Sequence, residues 1–258
     1  GVRFEENEKY VVKTLSALGL PLVLRSEQSI NLEEEPKKDI RNILEENDKL
    51  KESLQKAGRE ILEDEEYILK AANFYYLTDN SQKAEEMYEY ILKRNPNKMA
   101  ALNNKGVVLD SEGEYDNALR YFDEALNRVP ENVHLLSNKG ISLYKSEKYQ
   151  QALECFDAAL KIEAGYVNAL TFKAHSLYRL GKNLDALEWY NKVIRQDRTN
   201  AEALYNKACL CSLKGDEYGA ITSLEKAIRL DTSWKEAASQ DKDLDRVRTS
   251  PRFREIIK

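Results

Sequence analysis

Alanine returns every 34 residues through the middle of this chain, at Ala84, Ala118, Ala152, Ala186 and Ala220. Four residues after each stands a large side chain, in order Tyr88, Phe122, Phe156, Tyr190 and Leu224. Three further on come Ile91, Ala125, Ala159, Val193 and Ala227. A fixed period of this length, kept without a slip, restricts the fold to one supersecondary unit stacked on copies of itself. Such stacks usually hold other proteins and seldom carry out chemistry.

Each period has room for two amphipathic helices. In the block 99–132, Leu102, Gly106 and Leu109 recur at helical spacing and give a first helix its apolar stripe. Gly113 and Glu114 break it, and a second helix follows with Ala118, Phe122 and Ala125. Pro130 stops that helix, because proline has no N–H for the hydrogen-bond ladder. The other first-helix stripes read Ile68/Ala72/Tyr75, Leu136/Gly140/Leu143, Leu170/Ala174/Leu177 and Leu204/Ala208/Cys211. Turn signals recur at Asp79-Asn80, Gly181 and Gly215.

This pattern resembles the tetratricopeptide repeat, and the resemblance runs over 65–234 as five units, 65–98, 99–132, 133–166, 167–200 and 201–234. The small first-helix residue of that family corresponds to Ala72, Gly106, Gly140, Ala174 and Ala208, and its terminal proline to Pro96 and Pro130. Its early tryptophan is absent, and its first-helix leucine is lysine four times, at Lys105, Lys139, Lys173 and Lys207. The resemblance implies an all-α, right-handed superhelical α-solenoid of helix-turn-helix repeats. The lysine column reads either as stems covering apolar surface with ammonium groups in water, or as a positive rail for an acidic partner.

The flanks depart from the period. Residues 235–258 resemble the closing segment of prokaryotic proteins of this kind, and Leu244, Val247, Phe253 and Ile256 are expected to cover the last unit. Residues 36–64 read as a capping or coiled-coil helix. Ile40, Ile43, Asn47, Leu50, Leu54, Ala57 and Ile61 follow alternating steps of three and four, and Asn47 suits a parallel two-stranded seam. The same residues also suit a helix packed on the first unit, so a homodimer through 40–61 and a simple cap both stand. Residues 1–35 suit the end of another domain, with a short helix from Glu6 to Leu18 and a small hairpin across Ser26–Ser29. A chain opening on Gly1 also reads as a piece of a longer one.

Composition narrows the function classes. The formal charge of −5 is modest and the signs are interleaved, which gives no basic stripe for nucleic acid. The longest apolar stretch, Leu15 to Leu24, falls far short of the roughly 20 residues a membrane-spanning helix needs. Three cysteines, Cys155, Cys209 and Cys211, form no disulfide framework and fit a reducing, cytoplasmic setting. No phosphate loop, nucleophile elbow or zinc spacing is present, so no enzyme activity, cofactor or metal is expected.

The informative surface is the inner groove lined by first helices. Its expected lining is Asn73, Tyr76, Asn103, Asn104, Asp110, His134, Ser137, Asn138, Tyr144, Thr171, His175, Tyr178, Tyr205 and Asn206. Asparagine donates and accepts at once, which suits the backbone of an extended peptide, and tyrosine adds flat contact area with a polar tip. The resemblance implies a protein or peptide partner there. A chaperone-tail carboxylate clamp is disfavoured: Asn73 and Asn104 match its asparagines, but its basic places hold Leu69, His134 and Asn138. The leading expectation is a non-enzymatic scaffold. The alternative is the dimeric sensory or assembly module of a larger transcriptional or signalling regulator.

Overall fold

The computed structural model describes residues 65–258, all helix and connecting turn. Twelve α-helices run through the described residues: α1 (Glu65–Leu77), α2 (Ser81–Arg94), α3 (Met99–Ser111), α4 (Tyr115–Leu126), α5 (Val133–Lys145), α6 (Tyr149–Ile162), α7 (Val167–Arg179), α8 (Asn183–Gln196), α9 (Ala201–Lys214), α10 (Glu217–Leu230), α11 (Trp234–Gln240) and α12 (Pro251–Ile257). A short 3-10 turn (Lys242–Leu244) lies between the last two. There is no strand among the described residues. The hairpin expected across Ser26–Ser29 and the heptad seam of 40–61 lie outside them.

The residues fall into two compact units that meet in sequence at Glu112–Gly113. In the first, α1 packs on α2 and α2 on α3; in the second, each helix from α5 to α10 packs on the next, the pattern of an α-solenoid. The period is set by the buried positions. All five alanines that define it are fully buried, as are Tyr88, Phe122, Phe156, Tyr190 and Leu224 four residues on. A methyl group lets two helices approach to about 8–10 Å, and the aromatic ring then fills the groove beside it. Burying a side chain such as Phe156 contributes about 1.5–3 kcal/mol. No unit buries its apolar face alone, so stability adds up from neighbour to neighbour.

Turns repeat with the helices. The residue of positive φ between paired helices is Asp79, Gly113, Glu147, Gly181 or Gly215, again 34 apart. Three are glycine, which adopts this left-handed conformation without a Cβ penalty; Glu147 adopts it with one. Where the turn precedes a first helix, Asn132 and Asn200 accept from Leu135 N–H and Ala203 N–H, satisfying donors that the helix start leaves open.

Beyond α10 the period ends and the chain folds back. Leu244 and Phe253 are fully buried and Val247 nearly so, in one core with Leu204, Ala208, Leu224, Ala227 and Ile228. Ile256 packs against that core from its edge. The Trp234 ring stacks on Tyr205, with centroids 4.4 Å apart. Arg248 holds the fold-back from below, donating to the Ser239 and Asp241 carbonyls and pairing with Asp245.

Candidate functional site

In the first unit, α1 and α3 bring three of the expected asparagines together. The Asn73 carboxamide oxygen accepts from the Tyr88 hydroxyl at 2.6 Å and from Asn104 Nδ2 at 2.7 Å. Asn103 Nδ2 donates to Asn104 Oδ1 at 2.9 Å. Both lone pairs of the Asn73 oxygen are thereby used, and its amide N–H groups are what it still has to offer. Burial of Tyr88 pushes its hydroxyl up to about 12. Tyr76 sits half-buried against the same core, and Asp110 is half-exposed on the last turn of α3.

In the second unit the corresponding face is aromatic. His175 on α7 lies at its centre, with ring centroids 6.0 Å from Tyr144, 5.3 Å from Phe172 and 5.6 Å from Tyr190. Its Nε2 stands 3.4 Å from Asn206 Nδ2 and 3.4 Å from a Glu202 carboxylate oxygen. Burial holds the imidazole below its ordinary value, against the pull of Glu202, so the ring is neutral at pH 7. Burial also raises the Tyr144 hydroxyl, partly offset by the Arg179 guanidinium. The face repeats the logic of the first unit with different residues. Tyr88 stands on Asn73, and 102 residues later Tyr190 stands beside His175; where the second-helix ring is Phe156, the matching first-helix position is Ile141.

Other expected lining residues are spread out or already engaged. His134 is exposed, with its Nδ1 2.9 Å from the Tyr166 hydroxyl. Asn138 is half-exposed on α5, while Ser137 and Thr171 are buried. The C-terminal fold-back takes two tyrosines: Tyr205 donates to Asp241 at 2.8 Å and is itself buried, and Tyr178 donates to Asp243. The Cys209 thiol also points at Asp241. Sequence reading missed Phe172 and Glu202, whose roles depend on contacts between helices of different repeats.

Three of the four column lysines are held by carboxylates. Lys105 is only 3% exposed and pairs with Glu89 at 2.5 Å and Glu85 at 3.5 Å. Lys139 pairs with Asp123 at 2.6 Å, and Lys173 with Asp157. Glu89, Asp123 and Asp157 each lie 16 residues before their lysine, so an acidic column of period 34 answers the basic one. The next acid place is Asn191, where Lys207 meets no carboxylate of that series. A cleft of about 330 Å³ flanks the third rung, lined by Leu153, Asp157, Lys173, Leu177 and Trp189 among others.

Among the described residues no group of three or more His, Cys, Asp and Glu side chains is placed to hold a metal ion. The three thiols are buried; burial raises Cys155 to about 11 and Cys209 further. No helix of the described residues is long and apolar enough to cross a membrane.

Family models described as tetratricopeptide repeat match residues 69–133, 137–201 and 201–233. The chain belongs to the tetratricopeptide repeat family. No curated protein matches it. Among solved structures it is similar to YrrB, described as a tetratricopeptide repeat protein with an unusual peptide-binding site. The identity is 26%, the match covers 69% of this chain and 92% of that one, and the TM-score is 0.55. A MamA structure from Desulfovibrio magneticus RS-1 matches at 18% identity over 66% of this chain and 96% of that one, with a TM-score of 0.60. A second MamA structure matches at 17% identity, 64% and 96% coverage and a TM-score of 0.58. At those identities the MamA likeness concerns the fold alone.

Proposed function

We propose that this tetratricopeptide repeat chain is a non-enzymatic scaffold that holds an extended segment of a partner protein on its first-helix faces. One observation carries the reading. The apolar stripes are consumed by neighbouring helices, while half-exposed polar residues of the first helices remain in each unit, the asparagines of α1 and α3 in one and Tyr144 and His175 of α5 and α7 in the other, already networked and therefore pre-positioned. Pre-positioned donors cost little entropy on binding. The peptide-binding site named for YrrB, at 26% identity, supports the same use of the fold.

The faces of the two units are separate candidates. In the first, Asn73, Asn103 and Asn104 offer amide groups to a peptide backbone. In the second, Tyr144 and His175 offer ring faces, with Asn206 and Asn138 as hydrogen-bonding flanks. Tyr205 serves the C-terminal packing instead, and Tyr178 is shared with Asp243. Three buried free thiols among the described residues support a cytoplasmic placement.

Affinity capture of partners with the wild-type chain, Asn104→Ala and Tyr144→Ala tests the reading. Capture is expected to fall for at least one variant while both keep the wild-type melting temperature. Undiminished capture by both folded variants would place the partner elsewhere.

A further inference from the structure

We propose, building on the reading of the second unit's face as a partner site, that the part of it formed by α7, α9 and the C-terminal fold-back receives a lysine or arginine side chain. Glu202 stands in the first turn of α9 with its carboxylate half-exposed. It faces His175 and not a lysine or arginine, and that imidazole is neutral, so the charge is left unbalanced by a cation. Its field reaches both Tyr144 and Tyr190 and disfavours their ionisation. The preceding repeats carry Glu66, Ala100, His134 and Asn168 in the matching place; Glu66 is already met by Lys98, whereas Glu202 meets an imidazole.

A second carboxylate comes from the fold-back. Asp243 is held by the Tyr178 hydroxyl, and burial together with Asp245 raises it above the ordinary carboxylate value. A cation nearby would relieve that cost. Independently, the Tyr190 hydroxyl is fully buried without a hydrogen-bond partner, and it lies within electrostatic reach of Glu202, Tyr144 and Cys209. A buried hydroxyl left unpaired costs free energy that a ligand or its ordered water recovers. The Tyr144 ring completes the chemistry, because a cation is drawn to an aromatic face.

The chain's own cations do not fill the place. Arg179 lies at the edge, reaching the Tyr144 hydroxyl but engaged with Glu147 and the Tyr149 ring rather than with Glu202. Lys173 is spent on Asp157 and the Trp189 ring, and the Lys207 charge acts on the buried Cys211. In the first unit the matching carboxylate, Glu66, is already taken by Lys98, and neutral asparagines make up the neighbouring face.

Selection from a random peptide library displayed on phage, using the full chain and its Glu202→Gln variant, tests this. The wild-type chain is expected to enrich peptides with a lysine or arginine at one position. Replacing that residue by norleucine in a synthetic peptide should weaken binding about tenfold, as loss of a charge-assisted bond does. With Glu202→Gln the two peptides should bind alike. Should that variant melt lower than wild type, Asp243→Asn carries the same comparison. Selected peptides without basic residues, or an equal norleucine penalty in the variants, overturn the cation site. The face itself still stands in that case if Tyr144→Ala abolishes their binding. Failure to select any peptide overturns the cation site as well, and the capture experiment then decides the face alone.

Discussion

Gly140 shows how tightly a single position is fixed. A Cβ there would stand 2.5 Å from Phe156 Cε1, with the rest of that ring edge within 2.9 Å. Phe156 is fully buried and cannot swing away. Gly140→Ala is therefore expected to cost about 1–3 kcal/mol through overpacking, read as a lower urea midpoint. Phe156→Leu in the same chain should return part of the loss, since contacting sites couple. Glu147 presents the opposite case. Its φ of 61° lies in the left-handed region, where the matching residues of the neighbouring turns are Gly113 and Gly181. Glu147→Gly is expected to stabilise the chain by about 1 kcal/mol, less its weak contribution to the exposed Arg179 pair. An unchanged or lower midpoint would contradict the strain. The Gly113 and Gly181 turns were legible in the sequence; the Glu147 turn was hidden because a glutamate carries no turn signal.

Helix pairs are joined by more than apolar packing. The Lys105–Glu89 rung ties α3 to α2, and Lys139–Asp123 and Lys173–Asp157 tie α5 to α4 and α7 to α6. Lys105 holds Glu89 below the ordinary 4.5. A folded value lowered in this way adds stability above the unfolded value, and that stability is lost as pH falls through the lowered one. A double-mutant cycle of Lys105→Met and Glu89→Gln should give a coupling near 0.5–1 kcal/mol at pH 7, modest because Glu89 is half-exposed. The coupling should vanish once Glu89 protonates; its persistence after NMR shows the Glu89 carboxyl protonated would mean that the ion pair is not its source. The lysines stood out in sequence because they broke the expected leucine column. Their acids did not, since Glu89, Asp123 and Asp157 differ in type and lie among many solvated carboxylates. Only the packing of one helix on the preceding one reveals a spacing of 16 as contact.

At the scale of the molecule, the helical repeat architecture was readable because one spacing recurs five times and each copy must bury the same face. The candidate site was less readable. Residue type and repeat position brought out Asn73, Asn104 and His175, yet Tyr205 looked equivalent to them and is covered by Trp234 and Asp241. That contact joins residues 29 and 36 positions apart, through a fold-back that breaks the period. Removing residues 234–258 would strip the cover from Tyr205, Leu204, Leu224 and Ile228, all of which share its core. The truncated chain is expected to melt lower and to self-associate in light scattering, as an uncapped solenoid does. A monomer with the full-length melting temperature would show that the segment is dispensable.

The grip of Asp241 and Asp243 on the tyrosines of α9 and α7 also limits how this protein can be lengthened. Duplicating a helical pair after α10 would pull those carboxylates off their hydroxyls and strand both, whereas an insertion before α7 leaves the latch intact. Engineered or evolved variants with more repeats should therefore carry the additions upstream of Val167, with the closing turn passed on unchanged.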